Sequence, residues 1–358
     1  MITLNIPSRI HDYKVNIFEN MEVINDFIDV ENSVFVVDKN VYRLYGKLFD
    51  SVHEQRIFLI DPIEEKKNLY TVVELYGFLL KFKERKKLTL VSFGGGIIQD
   101  ITGFVASTLY RGIRWVFFPT TLLAQADSCV GSKTSLNFEQ FKNTIGTFYP
   151  PHCVNICTEF LDTLPEDAIY SGIGEIIKFM LLDDEDSIST EKIAKLVEDI
   201  HQDKMYLPAL DKTHKIKQSY IKQDEFDMGK RNLFNYGHCF GHALEYSSDY
   251  KIPHGIAVTI GMLFANLISL KRNLISVDVF NEIKNKLLLP NIHISLDKTF
   301  FSTDKLLDAI RNDKKRVGSE LSMIILTSDD FSAEKIDNLT ESEFHDGVLT
   351  LMTILNFS

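Results

Sequence analysis

The stretch LTLVSFGGGIIQDITGF, residues 88–104, carries the pattern that decides the fold of the first half of the chain. A mostly apolar run leads into three consecutive glycines, and a segment with helical character follows. A buried strand that enters a helix through glycines lets the backbone come close to a phosphate, whose charge the helix N-terminus favours. Gly94, Gly95 and Gly96 do not form the G-x-G-x-x-G fingerprint, so a tight connection without a ligand stays open as an explanation.

Runs similar to residues 88–93 recur in the first half of the chain. SVFVVD (33–38), RIFLID (56–61) and IRWVFFPT (113–120) are rich in β-branched and aromatic residues and alternate with helical segments. This alternation predicts an α/β domain with a mostly parallel sheet over residues 1–165. Longer amphipathic segments follow, and they predict a mainly α-helical domain over residues 166–358.

Composition excludes several classes of protein. With 358 residues, 45% hydrophobic and 25% charged, the chain has the make-up of a well-buried globular protein. A net charge of −11 argues against a nucleic-acid or anionic-membrane surface. The N-terminus lacks the pattern of a signal peptide, and no uninterrupted run of about 18 apolar residues occurs. We therefore expect a cytoplasmic protein with four free cysteines, Cys129, Cys153, Cys157 and Cys239.

Two histidines stand one helical turn apart in NLFNYGHCFGHALE, residues 232–245. His238 and His242 share a face if this segment is helical, which suits a metal ligand or an acid/base pair. Ordinary polar residues at a helix start explain the pair about as well. Cys239 replaces the glutamate of the H-E-x-x-H motif, so a metalloprotease is not expected.

Polar side chains in two further segments could contact a phosphorylated ligand. Asp38 and Asn40 follow the run at 33–38, where a carboxylate can accept hydrogen bonds from a ribose, although such residues also end strands without any ligand. The segment 119–151 offers hydroxyls, lysines and an amide beside Asp127. Solvated loop lysines would account for any one of these residues, but their density favours a site. They are Thr120, Thr121, Lys133, Lys142 and Asn143.

Several segments between about residues 30 and 325 carry a shared resemblance. They are FGGGIIQDITGF, YRGIRWVFFPTTLLAQADSCVGSKTSLN, KNTIGTFYPP, TLPEDAIYSGIGEIIK, KRNLFNYGHCFGHALE, PHGIAVTIGM and NDKKR. Taken together, these segments resemble the 3-dehydroquinate synthase family within the sugar phosphate cyclases. The resemblance implies a Rossmann-like NAD-binding α/β domain followed by a helical metal- and substrate-binding domain.

The resemblance assigns the metal ligands to Glu175, His238 and His254. One carboxylate and two imidazoles leave positions open on a divalent ion, zinc or cobalt, for adjacent substrate oxygens. His242 resembles a residue beside the leaving phosphate, and Lys178 resembles an active-site lysine. Without the resemblance, His254 would pass for a turn residue and Glu175 for a solvated helix charge.

The other matched positions form two groups. For NAD they are Asp38, Asn40, Glu64, Lys67, Gly95, Gly96, Asp100, Thr120, Thr121, Asp127, Lys142, Thr163 and Leu164. For substrate they are Lys133, Asn143, Lys217, Arg231, Asn235, His242 and Lys314 or Lys315. Lys217 and Arg231 correspond to cations near the substrate carboxylate, and Arg111 corresponds to a residue that reaches the neighbouring subunit, which implies a homodimer.

The implied reaction is that of 3-dehydroquinate synthase, a phosphate lyase of the shikimate pathway to aromatic amino acids. NAD oxidises 3-deoxy-D-arabino-heptulosonate 7-phosphate transiently, phosphate is eliminated, and an intramolecular aldol closure gives 3-dehydroquinate. The alternatives are a cyclase of sedoheptulose 7-phosphate or glucose 6-phosphate and, less favoured, a metal-dependent polyol dehydrogenase or a non-catalytic relative.

Four departures from the family pattern bear on the substrate. Gln99 and Ser132 replace glycines, and Ile256 replaces a glutamate that could accept a hydrogen bond near the metal, so we expect a change in metal affinity. The ending FYPP, with Pro150 and Pro151, resembles the cyclases of the two neutral sugar phosphates.

Overall fold

The computed structural model describes residues 1–357 except 29, 140, 187 and 312–320, and the chain divides into two compact units. The first unit comprises Met1–Leu164 and Lys217–Phe226, and the second comprises Pro165–Ile216 and Asp227–Ser358. Residues 217–226, which the sequence analysis assigned to the helical domain, therefore group with the α/β unit.

The first unit is built on a seven-stranded sheet of order β1-β2-β9-β6-β5-β3-β4, in which only the β1–β2 pairing is antiparallel among the described strands. A separate antiparallel pair, β7–β8, belongs to the same unit. The strands are β1 (Ile2–Ile6), β2 (Tyr13–Phe18), β3 (Ser33–Asp38), β4 (Ile57–Ile60), β5 (Thr89–Gly94), β6 (Arg114–Pro119), β7 (Lys133–Phe138), β8 (Phe141–Phe148) and β9 (Cys153–Cys157).

The central strands are mostly apolar because both faces of the sheet are covered. Every residue of β3 is buried, and β5 and β6 are buried after their first residue. Phe93 of β5 stacks on Phe118 of β6 with ring centroids 4.3 Å apart. The runs predicted from the sequence therefore match β3, β4, β5 and β6 to within one residue at each end.

Helices fill most of the second unit, which also contains a hairpin of β10 (Leu321–Leu326) and β11 (Ala333–Leu339). The helices of the chain are α1 (Lys39–Tyr45), α2 (Leu69–Leu79), α3 (Gly96–Thr108), α4 (Glu166–Leu181), α5 (Thr190–Asp203), α6 (Leu207–Gln223), α7 (His238–Ser247), α8 (His254–Lys271), α9 (Val277–Glu282), α10 (Thr303–Arg311) and α11 (Glu341–Ile354). The predicted class, an α/β part followed by a mainly helical part, is confirmed.

Helix α8 forms the centre of the second unit. All residues from Gly255 to Ser269 are buried, and α4, α7 and α11 pack against it. Its length and composition would suit a membrane span, but 83% of it is buried inside the protein. This is the position of a core helix, and the burial explains its lack of a polar face.

Candidate active site

The packing of α4 and α7 on α8 depends on glycine at the contact points. A Cβ on Gly255 would lie 1.7 Å from the carbonyl oxygen of Ser171, and one on Gly174 would lie 2.2 Å from the carbonyl oxygen of Gly255. On α7, a Cβ on Gly241 would lie 3.0 Å from the carbonyl oxygen of Ala257. Because backbone atoms cannot move aside as a flexible side chain can, these positions allow the helices to approach, and residues beside the glycines come close together.

A carboxylate and three histidines meet where these helices touch. The Oε1 atom of Glu175 lies 3.4 Å from Nε2 of His254 and 3.8 Å from Nε2 of His238. Glu175 is fully buried, and its other carboxylate oxygen contacts the ammonium of Lys178. Potential ligand nitrogens of His238, His242 and His254 all lie within 4.8 Å of one another, with His242 on the exposed side. The structure thus brings the three predicted ligands together and offers His242 as a further donor.

The charges around this cluster suit a cation. Burial opposes the charged form of His254, but contacts with Glu175 and Glu245 outweigh it and raise the pKa to about 10. The pKa of His238 lies well below its ordinary value because of burial first and then of Lys178 and the other two histidines. A neutral imidazole is therefore available at His238, while the carboxylates favour a positive charge at His254. A divalent metal would supply that charge, and the donor set fits one.

The remaining ring nitrogens of the two predicted histidine ligands have hydrogen-bond acceptors. Nδ1 of His254 lies 3.1 Å from Oε2 of Glu245, and Nδ1 of His238 lies 3.2 Å from the carbonyl oxygen of Tyr236. Donation from Nδ1 leaves the Nε2 lone pair for a metal and fixes the ring orientation. Glu245 was not predicted from the sequence, although it stands three residues after His242 on the same helix face.

The glycine-rich turn lies at the carboxyl end of β5, beside the turn that follows β6. Gly95 precedes α3, and a Cβ on it would lie 3.1 Å from Cγ2 of Thr121. The amide of Thr120 donates to the carbonyl oxygen of Gly94 at 2.9 Å. Asp38 lies next to the turn, since a Cβ on Gly94 would come within 3.3 Å of its Cβ. This is the edge of a parallel sheet at which nucleotides bind in such folds.

Asp38 also caps a helix, which is the structural role that its position at the end of a strand predicted. Its carboxylate accepts hydrogen bonds from the amides of Asn40 and Val41 and caps α1. Burial raises the pKa of this carboxyl group, although the two amide hydrogen bonds act in the opposite direction. The capping role occupies one carboxylate oxygen, Oδ1, in both contacts.

A second polar network joins predicted residues from α3, β8 and the segment before α2. The Nζ atom of Lys67 lies 2.8 Å from Oδ2 of Asp100 and 2.5 Å from Oδ1 of Asn143. Ser135, which the sequence analysis missed, donates through its amide and hydroxyl to Asp100 and through its hydroxyl to Asn143. Glu64 joins this network through a 2.8 Å hydrogen bond from Asn137.

Lys217 contacts Asp127 rather than standing apart from the predicted cofactor residues. Its ammonium meets both the carboxylate and the carbonyl oxygen of Asp127, and only 2% of its side chain is exposed. From the sequence, Lys217 was predicted to bind the substrate and Asp127 to bind NAD. Arg231 is buried in the second unit at the turn before Asn235, whose side-chain amide donates to the carbonyl oxygen of Asn232 at 2.9 Å.

The other predicted residues lie on turns and strands of the first unit. Thr163 contacts the hydroxyl of Tyr45 at 2.8 Å, and Leu164 follows it. Arg111 lies in the turn after α3 with a φ of 67°. Lys133 begins β7 and Lys142 lies on β8. Lys314 and Lys315 lie outside the described residues.

Two of the departures from the family pattern have local structural explanations. Gln99 exchanges hydrogen bonds with Ser128, donating to its carbonyl oxygen and accepting from its hydroxyl, each at 2.6 Å. In FYPP, the carbonyl oxygen of Pro150 accepts from the indole of Trp115 at 2.9 Å, and Tyr149 donates to the carbonyl oxygen of Ile113 at 3.1 Å. These residues therefore have packing roles that require no particular substrate.

Two family descriptions match consecutive parts of the chain. The 3-dehydroquinate synthase N-terminal family matches residues 57–171, and the 3-dehydroquinate synthase C-terminal family matches residues 172–316. This chain belongs to the 3-dehydroquinate synthase family. The predicted family is thus confirmed, and the chain is an enzyme of this type.

Relatives of the 3-dehydroquinate synthase family match over most of their length. The 3-dehydroquinate synthase of Clostridium tetani (strain Massachusetts / E88) is 39% identical over 262 residues, 70% of each chain. That of Acetivibrio thermocellus is 36% identical over 340 residues, which cover 91% of this chain and 92% of the relative. Among solved structures, the chain is similar to ValA, a 2-epi-5-epi-valiolone synthase from Streptomyces hygroscopicus subsp. jinggangensis 5008 with NAD+ and Zn2+ bound. The two are 25% identical with a TM-score of 0.83, and the match covers 96% of this chain and 97% of ValA.

Proposed function

We propose that this chain converts 3-deoxy-D-arabino-heptulosonate 7-phosphate to 3-dehydroquinate and phosphate. The observation that carries the proposal is the cluster of the buried Glu175 with His238 and His254 in a chain of the 3-dehydroquinate synthase family. The curated relatives named for this activity support the choice of substrate.

The second unit holds the metal in this proposal. Glu175, His238 and His254 are the ligands, and Lys178 balances the charge of the buried carboxylate. A divalent zinc or cobalt ion bound there supplies Lewis acidity toward adjacent substrate oxygens. Glu245 and the carbonyl oxygen of Tyr236 orient the two imidazoles.

The first unit binds NAD in this proposal, at the turn formed by Gly95 and Gly96. The helix N-terminus of α3 favours the pyrophosphate, and Thr120 and Thr121 line the neighbouring turn. NAD bound there supplies a reversible hydride transfer, so that the overall reaction has no net redox change. Asp38 accepts hydrogen bonds from the ribose through Oδ2, the carboxylate oxygen that does not cap α1.

The remaining proposed residues bind and orient the substrate. Lys217 and Arg231 pair with its carboxylate, since a buried planar guanidinium and an ammonium suit an anionic group. Lys133, Asn143 and Asn235 bind hydroxyl and phosphate oxygens. His242 exchanges a proton beside the leaving phosphate, and its position on the exposed side of the histidine cluster gives it access to such a group.

A second candidate function is cyclisation of a neutral sugar phosphate. ValA supports it by its structural similarity across nearly the whole chain. Sedoheptulose 7-phosphate and glucose 6-phosphate are the substrates to test. A metal-dependent polyol dehydrogenase would instead release NADH stoichiometrically, which a cyclase does not.

The decisive experiment offers three sugar phosphates in parallel to the purified protein with NAD and zinc or cobalt. Phosphate release and product mass are both recorded for the heptulosonate phosphate, sedoheptulose 7-phosphate and glucose 6-phosphate. We expect turnover of the heptulosonate phosphate with no accumulated NADH. Exclusive turnover of a neutral sugar would overturn the substrate and leave the reaction class standing.

Substitution of Arg231 sharpens this test. Arg231→Ala leaves the substrate carboxylate without one buried cation, so kcat/KM for the heptulosonate phosphate should fall by on the order of 2–5 kcal/mol of transition-state binding. Any turnover of a neutral sugar should fall much less. Arg311→Ala is the matched control, because this arginine is exposed and pairs with Glu341. Equal losses on both substrates would contradict the assignment of Arg231.

We further propose that the protein is a cytoplasmic homodimer in which Arg111 completes the neighbouring subunit's site. The exposed turn and left-handed backbone at Arg111 support a residue held away from its own unit. Activity of a mixture of Arg111→Ala and His238→Ala chains tests this, since a mixed dimer retains one complete site only if Arg111 acts across the interface.

A further inference from the structure

The buried polar side chains of helix α8 differ in where they find their hydrogen bonds. The hydroxyls of Thr259 and Ser269 donate to carbonyl oxygens four residues earlier in the same helix, at 2.8 and 3.1 Å. Asn266, which is 1% exposed, instead accepts at Oδ1 from the hydroxyl of Tyr236, in the turn before α7. A buried amide is costly unless it is hydrogen-bonded, so its presence in the apolar centre of α8 requires an explanation.

The pair of Tyr236 and Asn266 is only partly satisfied. Tyr236 has no exposed surface, and Nδ2 of Asn266 has no hydrogen-bond partner among the described residues. Two apolar side chains of similar shape would fill this space without an unpaired donor, and such a replacement is often close to neutral. Stability alone therefore does not account for the pair. Buried polar pairs can instead specify one arrangement of the elements that they join.

The element joined to α8 by this pair is a short turn that lies directly on the helix. Gly237 follows Tyr236 with a φ of 78°. A Cβ on Gly237 would lie 2.6 Å from the carbonyl oxygen of Val258 and 2.7 Å from Cγ of Met262. Val258, Met262 and Asn266 form one row of residues spaced four apart, and such rows are the ridges on which neighbouring segments pack. The turn therefore follows this row, and Asn266 holds its Tyr236 end.

Both proposed histidine ligands depend on this row of α8. The carbonyl oxygen of Tyr236 lies 3.2 Å from Nδ1 of His238 and accepts its hydrogen bond, which leaves Nε2 for a metal. His254, four residues before Val258, begins the same row. A displacement of Tyr236 on α8 would therefore move the acceptor of one ligand relative to the other ligand.

We propose that Asn266 is a positioning residue for the metal centre. Its hydrogen bond holds the side chain of Tyr236, so that the backbone carbonyl of Tyr236 keeps the imidazole of His238 directed toward Glu175 and His254. Asn266 acts only through Tyr236, since it lies about three helical turns from His254 along α8. This inference rests on the proposed function, and it adds a residue that orients the metal site from the core of the second unit.

Zinc affinity, measured by competition with a chromogenic chelator, tests the proposal without reference to turnover. Tyr236→Phe and Asn266→Leu each remove the hydrogen bond between the two side chains. Each should weaken zinc binding by about tenfold, the lower end of the effect of losing support behind a metal ligand. Zinc affinity equal to that of the parent in both variants would overturn the proposal.

The double variant Tyr236→Phe/Asn266→Leu separates positioning from stability. Each single change leaves one buried polar side chain without its partner, so the free energy of unfolding of the metal-free protein should fall. The double change leaves neither polar group and should restore most of that free energy. The loss of zinc affinity should nevertheless persist in the double variant. Recovery of zinc affinity together with stability would show that the pair is merely structural and would refute the positioning role.

Ser269→Ala is the matched control, because Ser269 is a fully buried polar residue of the same helix whose hydroxyl donates to the carbonyl oxygen of Ala265. It should keep the zinc affinity of the parent whatever its effect on stability. A tenfold loss in Ser269→Ala as well would indicate a general effect of substitutions in α8 and would contradict a specific role for Asn266.

His238→Ala distinguishes failure of this inference from failure of the proposed function. Zinc affinity no higher in the parent than in His238→Ala would overturn the metal site and the positioning role together. Zinc affinity that is lost in His238→Ala but kept in Tyr236→Phe and Asn266→Leu would leave the metal site standing and overturn only the role of Asn266.

Discussion

Replacement of Glu245 tests whether the histidine cluster is a metal site. Nδ1 of His254 and Oε2 of Glu245 are 3.1 Å apart, and the Glu245 side chain is only 13% exposed, so solvent screens this contact weakly. Glu245→Gln keeps the shape and an acceptor but removes the charge, whereas Glu245→Leu removes both. Loss of such a partner weakens metal affinity by about 10–100-fold, or about 1.4–2.8 kcal/mol. We expect Glu245→Gln near the lower value and Glu245→Leu near the upper one.

Competition for zinc with a chromogenic chelator measures this effect without reference to turnover. The metal-free variants should unfold at the same denaturant concentration as the parent within error, so that a lower zinc affinity reports the site itself. Glu166→Gln is the control, because Glu166 is 73% exposed and lies 3.8 Å from His293, a carboxylate–histidine pair elsewhere in the same unit. Parental zinc affinity in both Glu245 variants would refute the proposed orientation of His254 as a ligand.

Three further predictions concern the first unit. Gly95→Val should weaken NAD binding at least tenfold in an NADH fluorescence titration. The reason is that a Cβ on Gly95 would lie only 3.1 Å from Cγ2 of Thr121, so a valine blocks the close approach of the turn to the cofactor. NAD affinity equal to that of the parent would contradict the turn's role. Ser132→Gly should raise the free energy of unfolding in urea by about 1 kcal/mol, because Ser132 has a φ of 66° and this left-handed backbone is unfavourable for a residue with a Cβ. An unchanged free energy of unfolding would contradict backbone strain at this position. Burial and His11 lower the pKa of His152 from 6.5 to about 4, so its contribution to stability is complete above pH 6.5 and is lost as the pH falls toward 4. The free energy of unfolding, measured in urea, should fall between pH 7 and pH 4.5, and His152→Gln should reduce this fall by about 1–2 kcal/mol after allowance for solvent screening. An equal fall in the parent and the variant would exclude His152 as its source.

The sheet was predictable from the sequence because parallel strands covered on both faces are mostly apolar on both sides. The run at 33–38 coincides with β3, and the run at 113–120 contains β6. The β7–β8 hairpin was missed, because the polar residues of the segment 119–151 were interpreted as a possible ligand site and not as strands. The grouping of residues 217–226 with the first unit depends on tertiary contacts, which no local pattern records.

The candidate site was predictable where its residues share one element. His238 and His242 lie on one face of α7, as their spacing indicated. The contact of Lys217 with Asp127 joins residues 90 positions apart, so only the folded chain shows it. The position of Glu175 between two histidines likewise follows from the approach of α4 to α8, which is set by small residues that carry no chemical signal.

The replacement at Ile256 has a different meaning in the structure from the one its sequence suggested. An acceptor lost beside a ligand should leave the imidazole of His254 poorly oriented. Ile256 is instead fully buried in the core of α8, where an apolar side chain is favoured, and the acceptor for His254 comes from Glu245 on α7. The replacement at Ile256 therefore leaves the hydrogen bond to His254 intact. Because α7 supplies both His238 and this acceptor, a single helix orients two of the three proposed ligands.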